Sequence, residues 1–279
     1  MRNRILLCGI GVASTMLVAS TANASLIYGF NMRGDANQLF STDTGGFVSG
    51  FTTIGGAIGE FPTFAMDMDP NATTLWAVLF DGLNTYGTID TGTGVFTSMG
   101  TLSGPAAVDN VSGLSVDPTT GDWYISAIAP GGGPATLYRG DIATGSFLAV
   151  GDIGFALNID LAIDSQGNAY GLDIAVDELL SINLATGAGT LIGPTGINTN
   201  FAQGMDFDYA TDTLYATMYT GGGAGVFASI STVTGLATVL EVTTPLNAEM
   251  EMVVAVAIPA PGALALLGLG AVVSRRRRR

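Results

Sequence analysis

Three carboxylates recur at one position of a repeated pattern. Four segments of alternating apolar residues close on an aspartate: Phe64–Asp69, Gly113–Asp117, Asp160–Asp164 and Gly204–Asp208. Aligned on those closing aspartates, the residue two places earlier is Asp67, Ser115, Ala162 and Asp206. A fifth apolar run, Glu249–Val256, adds Glu251, with Glu249 and Asp160 close by. If the five runs surround a common axis, Asp67, Asp206 and Glu251 converge on it. Converging carboxylates can hold calcium through hard oxygen ligands. They can also act as acid/base and nucleophile on a glycosidic bond, at separations of about 5–5.5 Å for retention or 6.5–9.5 Å for inversion. The third possibility is an acidic rim in contact with water.

Other chemistry is excluded by composition. The 279 residues contain no histidine, so there is no Ser-His-Asp or Cys-His pair and no ordinary zinc or haem ligand set. The single cysteine is Cys8, inside an apolar N-terminal run and too early in it to suit a lipoprotein cysteine. Gly131–Gly133 and Gly221–Gly223 lack the Lys-Ser/Thr of a phosphate loop. There is no lysine; the nine arginines are Arg2, Arg4, Arg33, Arg139 and the run Arg275–Arg279. All 23 acidic residues lie between Asp35 and Glu251, which leaves residues 25–274 with a net charge of −21. Such a body repels phosphate backbones, so no nucleic-acid partner is expected. Calcium, cationic surfaces and neutral glycans fit the charge better.

The elements that carry these residues are a repeat. The closing aspartates are 48, 47 and 44 residues apart. Each is followed by a turn, then a strand around Trp76, Tyr124, Tyr170 or Tyr215. A third strand runs into Thr93-Gly94, Thr144-Gly145, Thr186-Gly187 or Thr234-Gly235, and a short fourth strand completes the unit. Four short strands at this spacing predict an all-β fold, a β-propeller. An open solenoid or stacked sandwich is the alternative. Residues 25–55 supply an aromatic strand at Tyr28 and two more strands but no opening one, and Glu249–Val256 is an opening strand without a unit. Joining them gives five four-stranded blades over residues 25–257, with blade one closed by the C-terminal strand, which leaves no unpaired seam. Asp at the turns and Gly in the Thr-Gly pairs are read as turn formers, and the recurrent aromatics as packing between blades. The repeats resemble those of secreted bacterial β-propeller proteins, a likeness shared across unrelated functions.

Both ends look like sorting signals. Arg2 and Arg4, the apolar Ile5–Val18 run and the small-x-small Ala22-Asn23-Ala24 have the form of a secretory signal peptide over residues 1–24. Residues 258–279 combine Pro259-Ala260-Pro261, a short apolar helix and five arginines, Arg275, Arg276, Arg277, Arg278 and Arg279. The arginines would stay cytoplasmic and leave the body outside. As a helix, residues 262–273 reach only about 18 Å, against a hydrocarbon core of roughly 30 Å. Thinning, snorkelling or extension of the helix is therefore needed for a transmembrane span. This tail resembles the PEP-CTERM sorting signal, with Ala260 where the family has glutamate. The resemblance implies an exosortase-type membrane protease as partner and a host that makes exopolysaccharide.

The expectation is a protein exported across the inner membrane, anchored through its C-terminus, then placed at the cell surface or in the matrix. There the propeller would act as a non-enzymatic binding or structural module, with extracellular polysaccharide as a candidate partner. The alternative is a secreted glycosidase-like enzyme with channel carboxylates. No cofactor is required, and calcium is the one that the carboxylates would suit.

Overall fold

The computed structural model describes residues 24–32, 37–58, 63–104, 110–129, 133–201, 203–247 and 249–256. Asn23 and everything before it, and Ala257 and everything after it, lie outside the described residues. That covers Ala22, the Pro259-Ala260-Pro261 motif, the apolar tail and the arginine run; Ala24 is exposed.

Among the described residues, twenty strands form five four-stranded antiparallel sheets. Blade 1 contains β1 (Leu26–Asn31), β2 (Gln38–Asp43) and the two-residue β3 (Thr52–Thr53). Blade 2 is β4 (Thr63–Met68), β5 (Leu75–Leu79), β6 (Thr85–Ile89) and β7 (Phe96–Thr101). Blade 3 is β8 (Asn110–Val116), β9 (Trp123–Ile128), β10 (Thr136–Asp141) and β11 (Ser146–Asp152). Blade 4 is β12 (Asn158–Ile163), β13 (Ala169–Asp173), β14 (Glu178–Ile182) and β15 (Gly189–Pro194). Blade 5 is β16 (Gln203–Asp208), β17 (Thr213–Gly221), β18 (Ala224–Ile230) and β19 (Ala237–Val242). The last strand, β20 (Met250–Val254), returns to blade 1, where the order is β20-β1-β2-β3. The chain is thus a five-bladed β-propeller closed by its C-terminal strand.

Burial falls from the axis to the rim. Strands β16 and β20 are buried along their whole length, whereas β7 and β19 are largely exposed. The core is five separate clusters, one between each pair of neighbouring blades. Each holds one recurrent aromatic: Tyr28 between blades 1 and 2, Trp76 between 2 and 3, Tyr124 between 3 and 4, Tyr170 between 4 and 5, Tyr215 between 5 and 1. Trp76 meets Trp123 of blade 3 edge-on at 6.4 Å, and Tyr170 tilts on Phe207 of blade 5 at 5.5 Å. These contacts weld neighbouring blades.

The turn aspartates do local work. Asp69 accepts from the Thr73 and Thr74 amides, Asp117 from Thr119, Asp164 from Gln166 and Asn168, and Asp208 from Ala210. The Thr-Gly glycines supply left-handed backbone and also admit the neighbouring blade. At Gly235, φ is +78° and an added Cβ would lie 2.2 Å from the Gly193 carbonyl of blade 4. Gly235→Ala therefore costs about 3 kcal/mol, from left-handed strain plus overpacking. Gly82→Ala, with φ +74° and nothing near its Cβ, costs only about 1–2 kcal/mol. Urea melts of the two variants check the difference.

Candidate functional site

The strand register corrects the alignment of Glu251. Across each inner pair, Asp67 faces Trp76, Ser115 faces Tyr124, Ala162 faces Tyr170 and Asp206 faces Tyr215. In blade 1 the residue facing Tyr28 is Val253; Glu251 faces Phe30, two residues nearer the start of the strand. Glu251 thus shares a level with Ala65, Gly113, Asp160 and Gly204, and not with Asp67 and Asp206. A two-residue slip preserves side-chain alternation, so the period of two cannot detect it. The Glu249-Met250-Glu251-Met252 run accommodates either register equally.

All four acids are sealed. Asp67, Asp160, Asp206 and Glu251 are 3, 1, 4 and 0% exposed. The reason lies at the inner sheet edge. A strand at the axis has a ladder partner on one side only, so its remaining amides need acceptors. Asp67 accepts from its neighbour Met68 at 2.6 Å and from Val116 of blade 3 at 2.9 Å. Asp160 accepts from Leu161 at 2.7 Å and from Met205 of blade 5. Asp206 accepts from Phe207 and from Val254 of blade 1, both at 2.7 Å. Each aspartate spends one oxygen on its own blade and the other on the next. Between blades 3 and 4 the Ser112 hydroxyl donates to the Asn158 carbonyl at 2.8 Å. Glu251 is held more loosely: neither oxygen reaches hydrogen-bond geometry with a donor, and the Met66 amide of blade 2 is the backbone group that still favours its charged form.

Burial pushes the Asp67 carboxyl up to about 7, against the opposing pull of the Val116 and Met68 amides. Asp160, Asp206 and Glu251 are also raised well above the usual carboxylate range, first by burial, with the charges of their fellow acids adding to it. Among the described residues no cation compensates them, since the single basic side chain there, Arg139, is paired at the rim with Asp122 at 2.5 Å. Among the described residues, no three His, Cys, Asp or Glu are placed to hold a metal ion. The arrangement is chemically suited to stapling blades; nothing in it faces a solvent-borne substrate.

A second feature lies where the inner strands begin, and the sequence reading did not locate it. A half-open cavity of about 420 Å³ spans blades 2 to 4 and reaches the entry to blade 5. Phe64 and Phe80 form one wall, their rings edge-to-face at 4.8 Å, with Ile159 and Ile174 from blade 4 and Phe201 before β16. Phe80, Ile128 and Ile174 stand four residues after Trp76, Tyr124 and Tyr170. That recurrence of a large apolar residue at a strand end was the signal available.

Against known proteins, no family model matches the sequence and no curated protein matches it. The fold is similar to a chain of a nidogen–laminin complex at TM-score 0.54 and 10% identity, over 84% of this chain and 99% of that one. TolB from Acinetobacter baumannii aligns at TM-score 0.49 and 14% identity, over 78% of this chain and 53% of that one. Regucalcin, a calcium-binding protein from Agrobacterium tumefaciens, aligns at TM-score 0.47 and 16% identity, over 77% and 72%. This chain therefore spans about half the length of TolB. At these identities the likeness concerns the propeller fold alone.

Proposed function

We propose that the chain is an exported, membrane-sorted surface protein whose propeller works as a binding module. The observation that carries this is the placement of the chain ends relative to the cavity. Ile27 pairs with Val254, and the Ala255 amide donates to the Leu26 carbonyl. The Ser25 hydroxyl donates to the turn aspartate Asp208 at 2.9 Å. Both connections to the terminal segments thus leave from the face that carries the aspartate turns. The cavity opens on the opposite face, at the starts of β4, β8 and β12. A tail held in the membrane would present the cavity outward. The PEP-CTERM-like tail supports an exosortase-type protease as the sorting partner, and extracellular polysaccharide stays a candidate neighbour. The sealing of Asp67, Asp206 and Glu251 argues against glycosidic cleavage by that trio, since a nucleophile or proton donor must touch its substrate. It argues equally against calcium there, because the aspartate oxygens are spent on amides.

The test uses a thiol placed at Leu148, 76% exposed on β11. Removal of the signal peptide would take Cys8 with it, leaving Leu148→Cys with one thiol. In a host with an exosortase-type protease, a membrane-impermeant maleimide should label spheroplasts, and truncation after residue 257 should move the protein from the membrane to the soluble fraction. A full chain that resists labelling until lysis overturns the reading.

A further inference from the structure

We propose that the cavity on the face remote from the chain ends is a binding site for an uncharged small molecule with an aromatic or branched aliphatic body. This deepens the binding-module reading and rests on it. Three independent features single out the site. First, the inner strands that line it are the ones that bulge. Register shifts fall between Thr63 and Ala65 in β4, Val111 and Gly113 in β8, and Asn158 and Leu161 in β12, each at the cavity end. Strands β16 and β20 pair without a shift. Bulges re-aim side chains beside functional sites.

Second, two of the seven left-handed non-glycine residues among the described residues adjoin it. Phe201 sits at φ +53° although it is neither glycine nor asparagine, and the residue is 67% exposed at the cavity lip. Asp160, next to the lining residue Ile159, is buried at φ +77°. Left-handed conformations in such residues cost about 1–3 kcal/mol each and persist at ligand clamps. An aromatic ring held in an unfavourable conformation and left in water gains nothing from the fold itself.

Third, the lining chooses the ligand class. Among the described residues that line it, none is charged. The Ser112 hydroxyl is spent on Asn158, and the Thr199 hydroxyl on Asp177 at 2.6 Å. The side-chain amides of Asn110 and Asn200 remain at the wall to orient an occupant. A saccharide needs many convergent donors and acceptors, whereas aromatic walls with two amides suit an apolar body carrying one or two polar groups. The net charge of the body also opposes anions.

The experiment titrates the neutral fluorophore N-phenyl-1-naphthylamine into the 25–257 body, which contains all twenty strands and the closing pair. One saturable site is expected, weakened at least tenfold by Phe80→Ala combined with Phe201→Ala. Leu148→Ser, at an exposed apolar residue on the rim, should leave binding unchanged. Unaltered melting of the double variant shows that its fold is intact. Absence of a saturable site, equal binding by the double variant, or displacement of the fluorophore by neutral oligosaccharides at lower concentration than by benzyl alcohol would overturn the assignment. Export, tested separately by labelling, stands or falls without it.

Discussion

The protein should be more stable at pH 5 than at pH 8, by about 10 °C in melting temperature. The four sealed acids bind protons more tightly in the folded chain than in the unfolded one. An unfolded carboxyl ionises near pH 4, whereas folded Asp67 holds its proton to about 7. Between those values the native state carries the extra proton, so stability falls as pH rises. Between pH 5 and pH 8 Asp67 alone accounts for a loss on the order of 3 kcal/mol, about 6–12 °C for a chain of this size. In the other direction, Asp69 and Asp81 are lowered by hydrogen bonds from Thr73, Thr74, Thr85 and Leu83 that outweigh their burial, and Asp90 by its bonds from Thr93 and Gly92. Their contribution is present above the unfolded value and lost as pH falls through their depressed folded values. The optimum thus lies near pH 4–5. The chain has no histidine, so no unshifted side chain titrates between pH 5 and 8. Thermal melts at several pH values in that range check the slope; a flat or rising profile would show that the channel acids are ionised in the folded protein.

Much of the architecture is legible because its signals have local causes. An aspartate that caps a turn and a Thr-Gly pair that supplies left-handed backbone depend on neighbours within five residues, and both repeat at blade spacing. The donated strand is legible because β1–β3 lack an opening strand and β20 lacks a blade. Register at the axis is set differently. It depends on bulges in β4, β8 and β12 and on which amides the inner edge leaves unpaired, and no single strand carries that information. Hence Asp67, Asp206 and Glu251 fall into one group by spacing, while in space Glu251 shares its level with Asp160. Asp160 itself, named only as a neighbour of the trio, proves to be one of the three staples. The cavity is least legible, because its wall assembles from strand ends on different blades.

The regrouping has consequences of opposite sign for residues that look alike in sequence. Asp206→Asn should destabilise the protein by about 1–3 kcal/mol. Each Asp206 oxygen faces an amide donor, Phe207 on one side and Val254 on the other. A carboxyl oxygen keeps a lone pair for its donor whether or not the acid is protonated. The asparagine nitrogen has none, so whichever way the side chain flips, one buried N–H loses its acceptor and meets another donor. The bond at risk also holds blade 5 to the closing strand, where loss opens the ring. Glu251→Met should do the reverse and stabilise by about 1–4 kcal/mol at pH 8. It replaces a fully buried carboxyl, approached only loosely by the Met66 amide, with an unbranched apolar chain of similar length, so a desolvated group disappears and at most one weak contact goes with it. The same change should flatten the stability–pH profile, because Glu251 no longer titrates and its repulsion of Asp160, Asp206 and Asp67 is gone. Urea denaturation at pH 5 and pH 8 separates the cases. Loss at both pH values is expected for Asp206→Asn, and gain concentrated at pH 8 for Glu251→Met. If Glu251→Met is instead destabilised at pH 8, Glu251 is held in solution by the Met66 amide or by an occupant of the channel.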